Sequence, residues 1–275
     1  MSLDSLLGTA SGRCTWSVLA RDVDTGEVLL SHEPDRVLKA ASIGKLVLLG
    51  AVAALADDGV LDVHERVSCA GAPEVGDSGV LQHLSVPELS VADLCTLVFA
   101  CSDNAATNVL IDHLGLDRIR ALRSRLGFRV TDLFDHVRDV RTPEHAPTLS
   151  VVSAAELVDA MAAVWHGGFV SASASAWLLN GLRLNTDLSM VPATLCLDPL
   201  SHTTPDSAAS VANKTGTDVD VRADTGLITV NGRTAAYAAI CNLDPGHVGA
   251  DQVGPADAVR DMNRIGEHLR AVLSA

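Results

Sequence analysis

Several things are scarce or missing in this 275-residue chain, and each absence removes a class of function. Positive charge is short: 20 Lys and Arg face 34 Asp and Glu, a formal net charge of −14. Such a surface repels a phosphate backbone and an anionic membrane, so nucleic acid is excluded as a partner. No run reaches 18 uninterrupted apolar residues, so no membrane span is expected. The first residues, Met1 to Leu7, lack the basic and apolar regions of a secretory leader. As written the chain reads as cytoplasmic, or as secreted or periplasmic if a leader has been trimmed. The six cysteines, Cys14, Cys69, Cys95, Cys101, Cys196 and Cys241, include no Cys-x-x-Cys pair, and the ten histidines form no His-Glu-x-x-His. No metal and no cofactor is therefore expected, and each cysteine reads as a small buried apolar residue.

Lysine is rarest among the charged residues. Only Lys39, Lys45 and Lys214 occur, while arginine does the remaining cationic work. Lysine, unlike arginine, gives up its proton readily when buried, so the positions of these three matter chemically.

What is present is an ordinary globular composition, 48% apolar and 20% charged, long enough for a full core without disulfides. Residues 1–12 suit a short helix, and Cys14–Val23 and Val28–Ser31 two strands around the turn Asp24-Thr25-Gly26-Glu27. The period then becomes helical from Ala40 to Gly59. Further helices are expected from Ser90 to Cys101, Ala105 to Leu114, Leu116 to Leu126, Ser153 to Trp165 and Ser175 to Leu184. Residues 60–89 and 129–150 read as irregular. Strands return at Ala209–Lys214, Ala223–Val230 and Thr234–Cys241, the last two joined by Asn231-Gly232, before an amphipathic helix over Asp257–Leu273. Strands at both ends and helices between them predict an α/β fold of the α+β type. One antiparallel sheet is built from both termini, residues 1–41 and 195–275, and a mainly helical unit, residues 42–194, is inserted.

Three short motifs punctuate this plan. Ser42-Ile43-Gly44-Lys45 opens the first long helix, placing a hydroxyl and an amine on neighbouring parts of one face. A helix N-terminus favours developing negative charge, and an apolar surround lowers a lysine pKa, so Lys45 can activate Ser42 as a nucleophile. Ser102-Asp103-Asn104 sits between two helices, where capping alone would also explain it. Lys214-Thr215-Gly216 ends a strand: a cation and a hydroxyl for a substrate carboxylate, with a glycine allowing close backbone approach.

The three in this order are the combination of class A β-lactamases and penicillin-binding proteins, and the chain resembles that serine acyl-transferase superfamily, most of all its class A β-lactamase branch. The segment Cys101 to Leu110 and the loop Gly76-Asp77-Ser78-Gly79-Val80-Leu81 resemble the family as well. The resemblance implies Ser42 as nucleophile, Lys45 as general base and Ser102 as proton shuttle to the leaving nitrogen. It implies Asn104 as a ligand of the substrate amide, with Lys214 and Thr215 holding its carboxylate. Backbone N–H groups of Ser42 and Thr217 would form the oxyanion hole, worth ~3 kcal/mol per donor. Gly216 keeps its backbone role, and Arg222 is a second carboxylate partner or simply an exposed strand arginine.

The chain also departs from the family. Class A enzymes carry Glu-x-x-Leu-Asn in a later loop, the Glu activating the deacylating water; residues 133–147 contain none. Counting from Leu133 puts the Glu position near Val137, with Asp135, His136, Asp139 and Glu144 as candidate substitutes or merely solvated loop charges. Leu49 stands where family members often have a cysteine paired with one at the place of Cys95. The expectation is a monomeric, class A β-lactamase-like serine hydrolase acting on a small molecule, a β-lactam, ester or D-amino-acid peptide, with acylation intact and deacylation in doubt. A D-amino-acid peptidase or esterase, or a non-hydrolysing sensor, remain alternatives.

Overall fold

The computed structural model describes residues 6–7, 14–71, 75–201, 208–244 and 254–275. All but Leu6 and Leu7 of the expected N-terminal helix therefore lie outside the described residues. The chain opens with β1 (Cys14–Asp22) and β2 (Val28–His32), then β3 (Leu38–Lys39) and a 3₁₀ turn over Ala41–Gly44 that runs into α1 (Lys45–Asp57). The short strands β4 (Arg66–Ser68) and β5 (Glu88–Ser90) precede α2 (Val91–Cys101), α3 (Asn104–Leu114) and α4 (Leu116–Ala121). Next come β6 (Asp132–Leu133), β7 (Ser150–Val152), α5 (Ala154–Trp165) and α6 (Ala172–Leu182). A 3₁₀ turn at Val191–Leu195 leads to β8 (Ala209–Asp218), β9 (Val221–Val230), β10 (Arg233–Leu243) and α7 (Pro255–Leu273).

The expected antiparallel sheet is formed from both ends of the sequence, in the order β2-β1-β10-β9-β8. Its hairpins have local causes. Asp22 Oδ1 accepts the backbone N–H groups of Asp24 and Thr25, and Gly26 takes φ +73°. Asn231 and Gly232 both sit at positive φ, as the two-residue primed turn between β9 and β10 requires. Side chains along β10 alternate between two cores: Ala236, Ala238 and Ile240 face the helical layer, while Ala235, Tyr237 and Ala239 face α7. Both faces of the central strand are thus covered, α5 packing on one and α7 on the other. α1 is apolar all round and buried through the middle of the larger core.

Several sequence expectations move: the helix expected from Ser175 begins at Ala172, and the region 129–150, read as irregular, holds β6. The helix foreseen from Ala40 starts as a 3₁₀ turn, because Ala41 takes φ +47° and α-helical pairing begins only at Lys45. The helix expected to reach Leu126 stops at Ala121 and continues as turns. The cysteines are all free thiols, but only Cys95 and Cys241 are buried; Cys196 is exposed at a left-handed position that ends a 3₁₀ turn. No helix among the described residues is long and apolar enough to cross a membrane.

The seat of α7 depends on one small residue. A Cβ on Gly266 would lie 1.9 Å from the carbonyl oxygen of Val191. Helix propensity alone predicts that Gly266→Ala stabilises by about 1 kcal/mol, whereas this contact predicts a loss of about 1–3 kcal/mol. Urea unfolding decides between them: a variant at least as stable as the parent would contradict this packing.

Candidate active site

Ser42 lies in the 3₁₀ turn, held from two sides. Ser150 Oγ donates to the Ala41 carbonyl at 2.7 Å, and a Cβ on Gly44 would come within 2.2 Å of Ser150 Cβ. On the other flank a Cβ on Gly216 would meet the Ala40 carbonyl oxygen at 2.2 Å. β7 and β8 therefore clamp the turn, and the close approach expected of Gly216 is to the backbone that presents Ser42.

Lys45 heads α1 and is completely buried. Its Nζ donates to the Ser102 carbonyl at 2.6 Å and to Asn104 Oδ1 at 2.7 Å, and stands 3.2 Å from Ser102 Oγ. Burial, reinforced by the charge of Lys214, holds the Lys45 amine well below the ordinary lysine pKa, against the opposing pull of Asp103. Lys214, on β8 and equally buried, donates to Ser102 Oγ at 2.9 Å and to the Thr215 carbonyl at 2.8 Å. Burial pushes its pKa down to about 8, with Asp187 and Asp224 working the other way. The Ser102 hydroxyl thus lies between two amines.

Its placement follows from local sequence. Ser102 ends α2 at φ +55°, and Asp103 caps α3 by accepting from Ala106 N at 2.9 Å. Asp103 is also buried, and its other oxygen takes the N–H groups of Val80 and Leu81 at 2.6 and 2.8 Å. The capping role of the motif belongs to Asp103; its neighbours Ser102 and Asn104 both face Lys45. Asn104 spends its oxygen on Lys45 and its nitrogen on the Gly76 carbonyl at 2.8 Å.

These groups border a cleft of ≈ 630 Å³ lined by Ser42, Ser102, Asn104, Thr215, Thr217 and Arg222 among others. Arg222 is half-buried rather than an exposed strand residue, and its Nη1 donates to the carbonyls of Asp218 and Val221, both at 2.6 Å.

The loop of residues 134–149 supplies the remaining wall, and none of the four candidate bases in it lines the cleft. Asp135 is buried in ion pairs with Arg138 and Arg141, at 2.9 and 2.8 Å. The ring Nε2 of His136 lies 2.7 Å from Asp112 Oδ1, Asp139 accepts from Gly76 N at 2.9 Å, and Glu144 is exposed. Val137 does line the cleft, and Asn108 pins it from both sides. Asn108 Oδ1 accepts from Val137 N at 2.8 Å, and Asn108 Nδ2 donates to Val137 O at 2.9 Å. Asn108 escapes the sequence reading, although it falls four residues after Asn104 and hence on the same face of α3.

A second cluster, behind β8, also escapes it. Asp224, fully buried, accepts from Tyr237 Oη at 2.9 Å, Asn213 Nδ2 at 3.0 Å and Val191 N at 3.0 Å. Asn213 in turn accepts from Asn185 Nδ2 at 2.9 Å, which connects the cluster to the cleft wall. Burial pushes the Asp224 carboxyl up to about 7 despite these donors.

The model of the Beta-lactamase enzyme family matches residues 2–269, and the chain belongs to that family. Among solved structures it is similar to a β-lactamase from Sphaerobacter thermophilus DSM 20745, at 23% identity and a TM-score of 0.83, covering 99% of this chain and 97% of the other. It is also similar to a mutant of PBP-A, captured as an acyl-enzyme complex with penicillin-G, at 20% identity and a TM-score of 0.80, covering 99% and 94%. A β-lactamase from Chitinophaga pinensis DSM 2588 matches at 16% identity and a TM-score of 0.79, covering 98% and 97%.

The buried carboxyl makes a testable statement about stability. With its folded pKa raised above the unfolded 3.8, Asp224 keeps in the folded state a proton that the unfolded chain releases. This group therefore makes stability fall as pH rises from about 4 to about 7. Urea unfolding across this range should show a steeper decline for the parent than for Asp224→Asn, the difference being on the order of 3 kcal/mol. Parallel stability profiles would contradict the assignment.

Proposed function

We propose that the protein is a serine acyl-hydrolase that opens a β-lactam, or the amide of a related D-amino-acid peptide, by forming an ester on Ser42, and that it releases the ester slowly. The observation carrying this reading is the Lys214–Ser102–Lys45 chain bordering the cleft that holds Ser42. A charged Lys214 donates to Ser102 Oγ, leaving the hydroxyl proton for a neutral Lys45. The pKa directions of the two lysines support that division of charge. Lys45 takes the Ser42 proton, directly or through Ser102, as Oγ attacks the carbonyl carbon. Ser102 hands its proton to the nitrogen as the C–N bond breaks, and Lys45 restores it. The N–H groups of Ser42 and Thr217 bind the oxyanion, and Lys214, Thr215 and Arg222 hold the substrate carboxylate. Asn104 would contact the substrate amide only by giving up part of its present bonding, so holding Lys45 is its first role.

Deacylation is the weak step. The position that the family resemblance gives to the water-activating carboxylate is Val137, whose side chain cannot accept a proton. The loop's own acids are committed elsewhere or solvated. This favours a penicillin-binding hydrolase of low turnover over an efficient β-lactamase. It also keeps the peptidase reading, in which the physiological ester is less hindered than a penicilloyl one.

Intact-mass spectrometry during incubation with excess benzylpenicillin tests both halves. The expected result is one adduct per chain that maps to the Ser42 peptide and persists, and no adduct on Ser42→Ala. Labelling of the alanine variant would overturn the nucleophile. In the Val137→Glu variant the adduct should clear at least about tenfold faster, since a positioned general base contributes roughly 10²–10⁴-fold when optimally placed. An adduct equally long-lived in that variant would show that Val137 is not at the hydrolytic position.

A further inference from the structure

The same loop that lacks a base brings cations to the cleft. Arg138 and Arg141 both line it, and so does Arg222 from the sheet. The acids of the lining are Asp77, Asp187 and Asp218. Asp187 accepts from the backbone N–H and hydroxyl of Ser189, and Asp218 accepts from Val219 N. Three arginines against three aspartates, with Lys214 buried behind Ser102 and Asp135 behind the two loop arginines, is a local balance far from the chain's −14. A cleft that escapes the sign of its own protein suits anionic ligands.

The arginines differ in how much of each is free. Arg141 is committed: Nη1 donates to Asp135 Oδ2 at 2.8 Å and to the Ala146 carbonyl at 3.0 Å, and Nη2 to the His136 carbonyl at 3.3 Å. It fixes the loop. Arg138 donates to Asp135 from Nε at 2.9 Å and from Nη2 at 3.0 Å, and its Nη1 makes no hydrogen bond among the described residues. Its side chain is one-third exposed, at 33%. Asp135 therefore orients one edge of the Arg138 guanidinium and shares its single charge between two arginines, leaving the pair with a net positive charge. The free edge of Arg138 belongs to a residue next to Val137 on the cleft wall.

This wall and the carboxylate-binding strand approach the Ser42 turn from different flanks. The loop joins β7, whose Ser150 accepts from Ala40 N, donates to Ala41 O and packs against Gly44, whereas Gly216 of β8 packs against Ala40 O and Ile43. One carboxylate on the β8 side is already accounted for by Lys214, Thr215 and Arg222. We propose that Arg138 forms a second carboxylate subsite on the loop side, so that the preferred acyl donor is a dianion with one carboxylate near the scissile amide nitrogen and another on its acyl substituent. This inference rests on the acyl-Ser42 reading above and names its substrate class. The guanidinium is suited to the task because its fork matches a carboxylate and its charge does not titrate away.

The test uses a matched pair of penicillins that differ by one carboxylate: benzylpenicillin and carbenicillin, its α-carboxylated analogue. Second-order acylation rates for both are read from intact-mass time courses on the parent, Arg138→Gln and Arg138→Lys. The parent should favour carbenicillin by roughly tenfold, the size expected of one charge-assisted hydrogen-bonded contact. In Arg138→Gln the ratio should fall to about one, and Arg138→Lys should retain part of it. On the parent, about 0.5 M salt should shrink the preference, which guards against a loop disturbed by the substitution. Equal rates for the two penicillins on the parent, or a ratio unchanged in Arg138→Gln, would overturn the subsite. An absence of adduct with either compound would overturn the acyl-serine reading, and the subsite with it.

Discussion

A lysine amine with no access to water sits at the start of α1, and the arrangement around it follows from satisfying that amine. Burying a charged ammonium without partners costs several kcal/mol, so the group must be hydrogen-bonded, neutral or both. Lys45 meets its acceptors only because Ser102 ends α2 in a left-handed conformation and Asn104 begins α3 one residue beyond Asp103. Asp103 holds that junction to the loop of Val80 and Leu81. Lys214 completes the chain from the edge strand, and its charge helps hold the Lys45 amine below the ordinary lysine pKa. One packing requirement, dry surroundings for an amine, thereby places an amine of lowered pKa beside the Ser102 hydroxyl.

The opposite wall of the cleft obeys a different constraint. Asn108 holds the backbone of Val137 by two hydrogen bonds, so a side chain is presented to the cleft with no freedom to choose its position. Of the two acids nearest it in sequence, Asp135 is spent on two arginines that shape the loop, and Asp139 accepts from Gly76 N. Two buried amines meet at the Ser102 hydroxyl and the loop is held rigid, while the side chain at the presented position carries no proton acceptor. The slow release proposed for an ester on Ser42 rests on that combination.

Much of this is legible in the sequence. The Asn231-Gly232 turn, the alternating strands at both ends and the glycine stops after helices mark the sheet and the helical layer because each is a local signal. The three motifs point to the cleft residues because lysine is so rare that two of its three occurrences fall within them. What stays hidden depends on tertiary contact. Asp135 reads as solvated loop charge until Arg138 and Arg141 are seen folded onto it. Asp224 looks like an ordinary polar residue on a strand, yet the register of β8 with β9 and the burial of Tyr237 close a dry network around it. The start of α1 is hidden because nothing local announces that Ala41 takes a left-handed conformation; Ser150, more than a hundred residues away, helps hold it there.

The relative speed of two steps at one serine decides whether Val137 leaves the site without a base. Stopped-flow mixing with a chromogenic cephalosporin reads both at once. A burst of one equivalent of opened ring per chain, followed by a much slower steady rate, is the predicted result. A linear time course of rapid turnover with no burst would mean that deacylation keeps pace, and would contradict the claim that Val137 leaves the hydrolytic position without a base.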